Sequence, residues 1–297
     1  MNFFNSKHSN ILYSLFLISF FLFFSCHQGK NTKNNLFGNN NIDEDSTKYE
    51  PLEIGLQTIK VNEIPVDIIV PDRTINGDLL VLPGWNFTRD RWCNESDLCT
   101  KALAKGYRLI MPEMGRSVYS SKYFPQTRED WIIAPTGTWL VDTMIKHLQL
   151  KYGILLPGKR NYLMGLSTGG RGVALTAIRT DKLFKAGVAL SGDYDNILIP
   201  YDAVMTGFYG TYEENKDIWT SIDNPFHDAA LLQVPLYLGH GLNDPVVPSQ
   251  QSITFYKKLQ EVNPDLKVVL HISDTGLHDF NYWNSEVDAA FKFFEEY

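Results

Sequence analysis

The stretch Asn161-Tyr-Leu-Met-Gly-Leu-Ser167-Thr-Gly-Gly-Arg-Gly172 constrains the fold of this chain more than any other. Tyr162, Leu163 and Met164 form a short apolar run of the kind that makes a buried strand. Val173, Ala174, Leu175, Ala177 and Ile178 follow in a helix-compatible pattern. Ser167 is therefore predicted to stand on a sharp strand-to-helix turn. Such a turn needs small neighbours on both sides, which Gly165 and Gly169 supply, and it lifts the hydroxyl clear of the sheet. A helix starting near Thr168 would aim its free N–H groups and positive dipole end at negative charge developing beside Ser167, so the Thr168 N–H is the first candidate oxyanion donor. A glycine-rich turn without chemistry is the plain alternative, because Gly-x-Ser-x-Gly also arises by composition.

The surrounding pattern supplies the context. Leu56 to Val61 and Ile64 to Val70 read as two strands joined at Asn62-Glu63, an antiparallel entry to a sheet, with Pro65 placing at least one of them at an edge. Asp78 to Leu82 is a buried strand ending in Pro83-Gly84. A helix over Leu98 to Lys105 is closed by Gly106, and the next strand is Arg108 to Pro112. A helix from Gly137 to Tyr152 carries Leu140, Met144, Ile145 and Leu148 on one face. Beyond Ser167, strands are predicted at Ala186 to Leu190, Val234 to Gly239 and Leu266 to Ile272, with helices near Ser249 to Glu261 and Asn284 to Glu296. This alternation builds an α/β fold, a mostly parallel, doubly wound sheet of about eight strands covered by helices on both faces.

The ends of the chain read differently. Lys7 and His8 precede an apolar run from Ile11 to Phe24, too short for a comfortable membrane span and suited to a signal peptide over residues 1–25. Residues 26–50 are rich in asparagine, glycine and charge and read as a flexible tether, leaving residues 51–297 as the catalytic domain. An uncleaved anchor helix is the alternative for the apolar run; both readings export the protein and attach it to a membrane. In an oxidising compartment Cys93 and Cys99 are a candidate local disulfide, with two free thiols as the other option. A formal charge of -7 argues against nucleic acid as a partner. No cofactor is expected. No metal is expected either, since no histidine pair falls at helical ligand spacing.

Reactive groups in a doubly wound sheet collect at the carboxyl ends of strands. Asp244 follows one predicted strand in His240-Gly-Leu-Asn-Asp244-Pro-Val-Val-Pro248, and His278 follows another in Gly276-Leu-His278. With Gly165-Leu-Ser-Thr-Gly169 these residues give the chain order serine, acid, histidine. On those three motifs the sequence, from about Leu52 onward, resembles the α/β-hydrolase superfamily, and within it the branch of prolyl oligopeptidases, dienelactone hydrolases and related esterases. The resemblance implies a Ser167, Asp244 and His278 triad that cleaves carboxylic esters through an acyl-enzyme. It also implies a second oxyanion donor at Trp85 or its neighbour, where Pro83-Gly84-Trp85 replaces the more usual His-Gly. A serine peptidase and a non-catalytic binding protein are the competing functions; the substrate is a small ester or short peptide. The amino terminus resembles a bacterial lipoprotein signal whose Cys26 would carry a lipid anchor to the cell envelope. It departs from that pattern at Phe23 and Phe24.

Other polar residues have weaker claims. Asp193 is the rival acid, His271 is expected to be a hydrogen-bonded core histidine, His240 to support the Asp244 turn, and Asp279 to point away. Two stretches, about 115–135 and 194–228, break the rhythm and are predicted to form an inserted cap over Ser167, their aromatic residues shaping a pocket or merely packing. Glu213-Glu214 could hold an amine, against the plainer reading of a solvated helix face.

Overall fold

A computed structural model describes residues 48–131 and 135–297. The predicted signal peptide, Cys26 and the tether up to residue 47 lie outside the described residues, as do residues 132–134 of the first cap insertion. Eight strands form one sheet: β1 (Gly55–Val61), β2 (Ile64–Val70), β3 (Gly77–Leu82), β4 (Tyr107–Pro112), β5 (Asn161–Leu166), β6 (Ala186–Leu190), β7 (Leu236–Gly241) and β8 (Val268–Ser273). Their order is β1-β2-β4-β3-β5-β6-β7-β8, antiparallel at β1–β2 and β2–β4 and parallel from β4 to β8. This is the α/β-hydrolase fold.

The period-two pleat of the strands sorts their side chains to two cores. Leu79, Val81, Met164, Val188 and Leu190 face one side, where α1 (Arg91–Glu95), α2 (Leu98–Ala104), α9 (Phe280–Ser285) and α10 (Val287–Phe294) pack. Leu80, Leu82, Leu163, Ala189 and Leu238 face the other. There α3 (Thr136–Thr138), α4 (Lys146–Tyr152), α5 (Thr168–Arg179) and α8 (Gln250–Val262) cover the sheet. Helix α10 shows why its residues form a helix here: Val287, Ala290, Phe291 and Phe294 recur at helical spacing and all are buried.

Three elements differ from expectation. The predicted Gly137–Tyr152 helix buries Leu140, Met144, Ile145 and Leu148 as foreseen, yet Trp139–Ile145 runs as a wider π-helical segment between α3 and α4. Hydrophobic spacing cannot report this, because one extra residue per turn over seven residues leaves the apolar face in place. The helix predicted near Asn284 to Glu296 begins at Val287 as α10, and an unpredicted helix, α9, precedes it; the two meet at Glu286, whose buried carboxylate accepts from Tyr237 Oη at 2.7 Å. The last residues assigned to the tether are docked: Glu50 N–H donates to the Lys151 carbonyl at 2.8 Å, and Tyr49 packs against Gly153.

Both insertions pack into a third apolar cluster built on Val118, Phe124, Met205, Phe208, Tyr209 and Trp219. It includes α6 (Ala203–Tyr209) and α7 (Lys216–Ser221). Cys93 and Cys99 form a disulfide linking α1 to α2, with Cα atoms 5.1 Å apart. Among the described residues no helix is long and apolar enough to cross a membrane.

A close backbone crossing lies where α5 leaves the sheet. A Cβ on Gly169 would stand 2.6 Å from the Pro83 carbonyl oxygen and closer still to that of Leu82. Both clashing atoms are backbone, so Gly169→Ala is expected to cost at least about 2 kcal/mol in a urea unfolding titration. At Gly158, where nothing lies within 4 Å of an added Cβ but φ is +78°, alanine is expected to cost no more than about 1–2 kcal/mol.

Candidate active site

Between β3 and β5 the strand order reverses direction: the chain runs outward from β3 to β4, then returns past β3 to β5. Such a reversal opens a crevice at the carboxyl ends of the strands. Ser167 occupies this position, between β5 and α5, with φ 55° and ψ −127°. An L-residue at positive φ and extended ψ costs about 1–3 kcal/mol and persists only where its surroundings hold it. Here Ser167 N–H donates to the Leu190 carbonyl at 2.8 Å, and the Ser167 carbonyl accepts from Gly170 and Arg171 N–H at 2.8 and 3.2 Å. A Cβ on Gly165 would fall on the Gly169 carbonyl, so both glycines flanking the serine are sterically required.

Because β5 to β8 are parallel, the loops after β5, β7 and β8 open at one edge, and the three predicted residues meet there. His278 Nδ1 lies 2.7 Å from Asp244 Oδ2, and His278 Nε2 lies 3.0 Å from Ser167 Oγ. An ionised carboxylate only accepts, so Nδ1–H is the donor to Asp244, and Nε2 of the neutral ring accepts from the Ser167 hydroxyl. Asp244 Oδ1 accepts from Val246 and Val247 N–H at 2.8 and 2.9 Å. Burial pushes the Asp244 carboxyl up, but hydrogen bonds from His240 and His278, the charge of His278 and the Val247 N–H outweigh burial and hold it well below the usual carboxylate range.

His240 does what its position suggested. Its Nε2 donates to the Val247 carbonyl at 2.9 Å and lies 3.4 Å from Asp244 Oδ2, while Nδ1 accepts from Ser252 Oγ at 2.7 Å. The buried ring thus ties the Asp244 turn to α8. Asp279 caps α9, accepting from Tyr282 N–H at 3.0 Å, and so points away. Asp193, the rival acid, is paired with Arg171 at 3.0 Å, and Asp244 holds the histidine. His271 departs from expectation: its side chain is 49% exposed, because β8 is an edge strand, and it pairs with Glu286 at 2.9 Å. Glu213 and Glu214 are exposed in a turn before α7, where Glu214 accepts from Thr211 Oγ1. Among the described residues no cluster of three histidine, cysteine or acidic side chains is placed to hold a metal.

A cavity of about 230 Å³ opens beside Ser167, Thr168 and His278. Trp85 and Phe87, from the loop after β3, form one wall. Val246 and Val247 form another, and Ile199, Val204 and Met205 of the second insertion close it. Among the described residues neither the Thr168 nor the Trp85 N–H has a hydrogen-bond acceptor, while the neighbouring Asn86 N–H is spent on the Gly115 carbonyl at 2.8 Å. The insertion aromatics do not shape this cavity. Phe208, Tyr209 and Trp219 are buried in the cap cluster, and Trp131 reaches the site only through Trp85, ring centroids 4.8 Å apart. Two supports escaped sequence reasoning. Trp283 meets the His278 ring edge-on at 5.1 Å and donates to Ser191 Oγ at 3.1 Å. Buried Tyr119 donates to the Pro83 carbonyl at 2.8 Å, fixing the loop that carries Trp85.

Residues 137–297, more than half of the chain, match the model of the prolyl oligopeptidase family. The chain belongs to the prolyl oligopeptidase family. It is a serine hydrolase. No curated protein matches this family member in sequence. Its fold is similar to that of FphF, a fluorophosphonate-binding serine hydrolase of Staphylococcus aureus, with TM-score 0.62 and 17% identity over 80% of this chain and 96% of that one. An S-formylglutathione hydrolase from Agrobacterium tumefaciens is similar at TM-score 0.63 and 13% identity, over 81% and 93% of the two chains. The acylaminoacyl peptidase of Pyrococcus horikoshii is similar at TM-score 0.60 and 17% identity, over 84% of this chain but only 42% of that one.

The depressed Asp244 carboxyl has a consequence for acid stability. A carboxyl held below its unfolded value of about 3.9 contributes stability that is complete above that value and is lost as pH falls toward the folded one. The stability advantage of the wild type over Asp244→Asn is therefore expected at pH 5 and should shrink as pH drops below about 4, read from urea midpoints at stepped pH.

Proposed function

We propose that this chain cleaves carboxylic esters of small acyl groups through an acyl-enzyme on Ser167. The observation that carries this reading is the Asp244–His278–Ser167 chain of hydrogen bonds, at 2.7 and 3.0 Å, opening onto a small apolar cavity. A neutral serine is a weak nucleophile, so His278 Nε2 takes the Oγ proton as Oγ bonds to the ester carbonyl carbon. Asp244 holds the ring in the tautomer that leaves Nε2 free and stabilises the imidazolium that forms. The Thr168 and Trp85 N–H groups donate to the oxyanion. Collapse breaks the bond to the alkoxide, which leaves with the proton from Nε2, and water repeats the sequence on the acyl-enzyme. Proton transfer contributes about 10²–10⁴ in rate and each oxyanion donor about 10²–10³.

The cavity volume favours short acyl groups, since about 230 Å³ lies below the range of roughly 300–1,000 Å³ common for drug-sized ligands. A serine peptidase is the second reading, and the family match favours it. We further propose that the protein is exported and tethered to the cell envelope through a lipidated Cys26. The apolar run from Ile11 to Phe24 supports export, and the Cys93–Cys99 disulfide supports an oxidising compartment.

Turnover of 4-nitrophenyl acetate tests the esterase reading. The wild type is expected to hydrolyse it, Ser167→Ala to lose about 10⁶ in kcat and Asp244→Asn about 10⁴, with folding checked by circular dichroism. Silence toward acetyl esters with release of an N-terminal amino acid or dipeptide from short peptides would move the peptidase reading ahead. Failure of Ser167 to react with a fluorophosphonate would remove both.

A further inference from the structure

A histidine that carries protons needs its ring fixed in position and in plane, and the hydrogen bond to Asp244 secures only the first. That bond holds Nδ1 at 2.7 Å, yet a ring anchored at one nitrogen is free to pivot about it. The contact from Nε2 to Ser167 Oγ is no second anchor, because it breaks and re-forms in every cycle. The plane is set from behind the ring. Trp283 meets His278 edge-on, with ring centroids 5.1 Å apart and planes at 80°, an arrangement that aromatic rings favour over face-to-face contact. His278 lines the cavity, whereas Trp283 is 1% exposed and does not, so the indole backs the imidazole.

The indole is itself held at both ends. On its backbone side, α9 starts directly after His278: Asp279 accepts from Tyr282 N–H at 3.0 Å through its carboxylate and from Trp283 N–H at 3.0 Å through its carbonyl. One turn therefore carries both His278 and Trp283. On its far side Nε1–H donates to Ser191 Oγ at 3.1 Å. Ser191 directly follows β6 and is completely buried, and its N–H donates to the Gly239 carbonyl of β7 at 2.8 Å. Its neighbour Leu190 supplies the carbonyl that holds Ser167 N–H, also at 2.8 Å. Phe280, edge-on at 5.0 Å, and Phe87, at 6.3 Å, pack around the indole. Trp283 thus links the turn that bears the base to the strand that fixes the nucleophile, by a route that does not pass through Asp244. We propose that Trp283, tied by Ser191, is the positioning residue that keeps His278 Nε2 aimed at Ser167 Oγ and at the leaving group. This rests on the reading of Ser167 as the nucleophile and adds to it a residue outside the triad. Trp283 touches neither the cavity nor the reacting atoms, so its contribution falls on kcat and leaves KM in place.

Two acetyl esters separate positioning from folding. The alkoxide leaving ethyl acetate has to receive the His278 proton as its bond to the carbonyl carbon breaks, whereas 4-nitrophenolate is stable as an anion and departs without one. A displaced ring therefore harms ethyl acetate more; a variant with less folded protein loses both activities by one factor. Trp283→Leu is expected to lower kcat about 10²-fold on ethyl acetate and about tenfold on 4-nitrophenyl acetate, with KM within about twofold of the wild type. Ser191→Ala leaves the indole in place and removes its far anchor, and Trp283→Phe keeps a ring against His278 without the N–H. Each of these milder variants is expected to lose about fivefold to tenfold on ethyl acetate and at most about threefold on 4-nitrophenyl acetate, and the two together no more than either alone. They carry the test should Trp283→Leu fail to fold. Equal losses on the two esters, or full activity in Ser191→Ala and Trp283→Phe, would overturn the proposal. Labelling by a fluorophosphonate, on the same samples, keeps this outcome apart from the esterase reading. A wild type that labels at Ser167 but leaves both esters intact discards the esterase, and positioning is then read from the labelling rate: about tenfold slower in Trp283→Leu, or in its absence about threefold slower in Ser191→Ala, keeps the proposal, and an unchanged rate overturns it.

Discussion

One buried guanidinium holds the reactive helix to everything built above it. Arg171 sits in the first turn of α5, four residues after Ser167, and is completely buried. Its Nε donates to the Val118 carbonyl at 3.3 Å, in the first insertion. Nη1 donates to Asp193 Oδ2 at 3.0 Å, in the loop after β6, and to Asn196 Oδ1 at 2.8 Å, and Nη2 to the Asp223 carbonyl, both in the second. A guanidinium carries five N–H donors in a rigid fork, and this fork is met from both insertions at once. Burying such a charge is expensive and is repaid only when its donors are used, so the insertions have little freedom to choose another arrangement. The last residue of α5 repeats the device at the surface side, where Arg179 binds the Tyr119 carbonyl at 3.0 Å and the Asp223 carboxylate. The cap is thus organised from the helix that the serine begins.

The same helix explains how a strained serine is tolerated. Backbone at φ 55° is costly for Ser167, but its N–H and carbonyl are each fixed by β6 and α5, and the glycines at 165 and 169 let α5 approach the β3 loop to contact distance. Tyr119 completes the closure. Its ring fills the space over Gly172 and its hydroxyl holds the Pro83 carbonyl, so the loop bearing Trp85 and the turn bearing Ser167 are positioned against one another. A site assembled from loops after four different strands acquires its precision from these contacts rather than from the sheet alone.

Much of this was legible in the chain. The apolar runs located all eight strands to within two or three residues, and a serine, an aspartate and a histidine placed after three of them are brought within hydrogen-bond distance by parallel strands alone. Periodicity reports which face is apolar and nothing about what lies opposite it. That is why Arg171, set in a Gly-Gly-Arg-Gly run, gave no sign of its partners 22 to 53 residues away, and why Trp283, just ahead of the predicted carboxyl-terminal helix, was given no role. His271 was misjudged for a related reason. An apolar strand suggests burial on both faces, but β8 closes the sheet, and only the strand order reveals that its histidine faces solvent.

The aromatic residues of the insertions show how little composition says about specificity. Their rings left two readings open, a lined pocket or a packed cap, and Phe124, Phe208, Tyr209 and Trp219 are buried in the cap's own core. A short insertion has too little aliphatic surface to fold upon itself, and large rings are the economical way to give it an interior. What remains to line the cavity is then the small remainder: Ile199, Val204 and Met205, two rings from the β3 loop, and the side chains of Asp193 and Asp202. Selectivity in such a cavity has to come from charge and size, since the groups able to read the shape of a flat substrate are already occupied in holding the cap together.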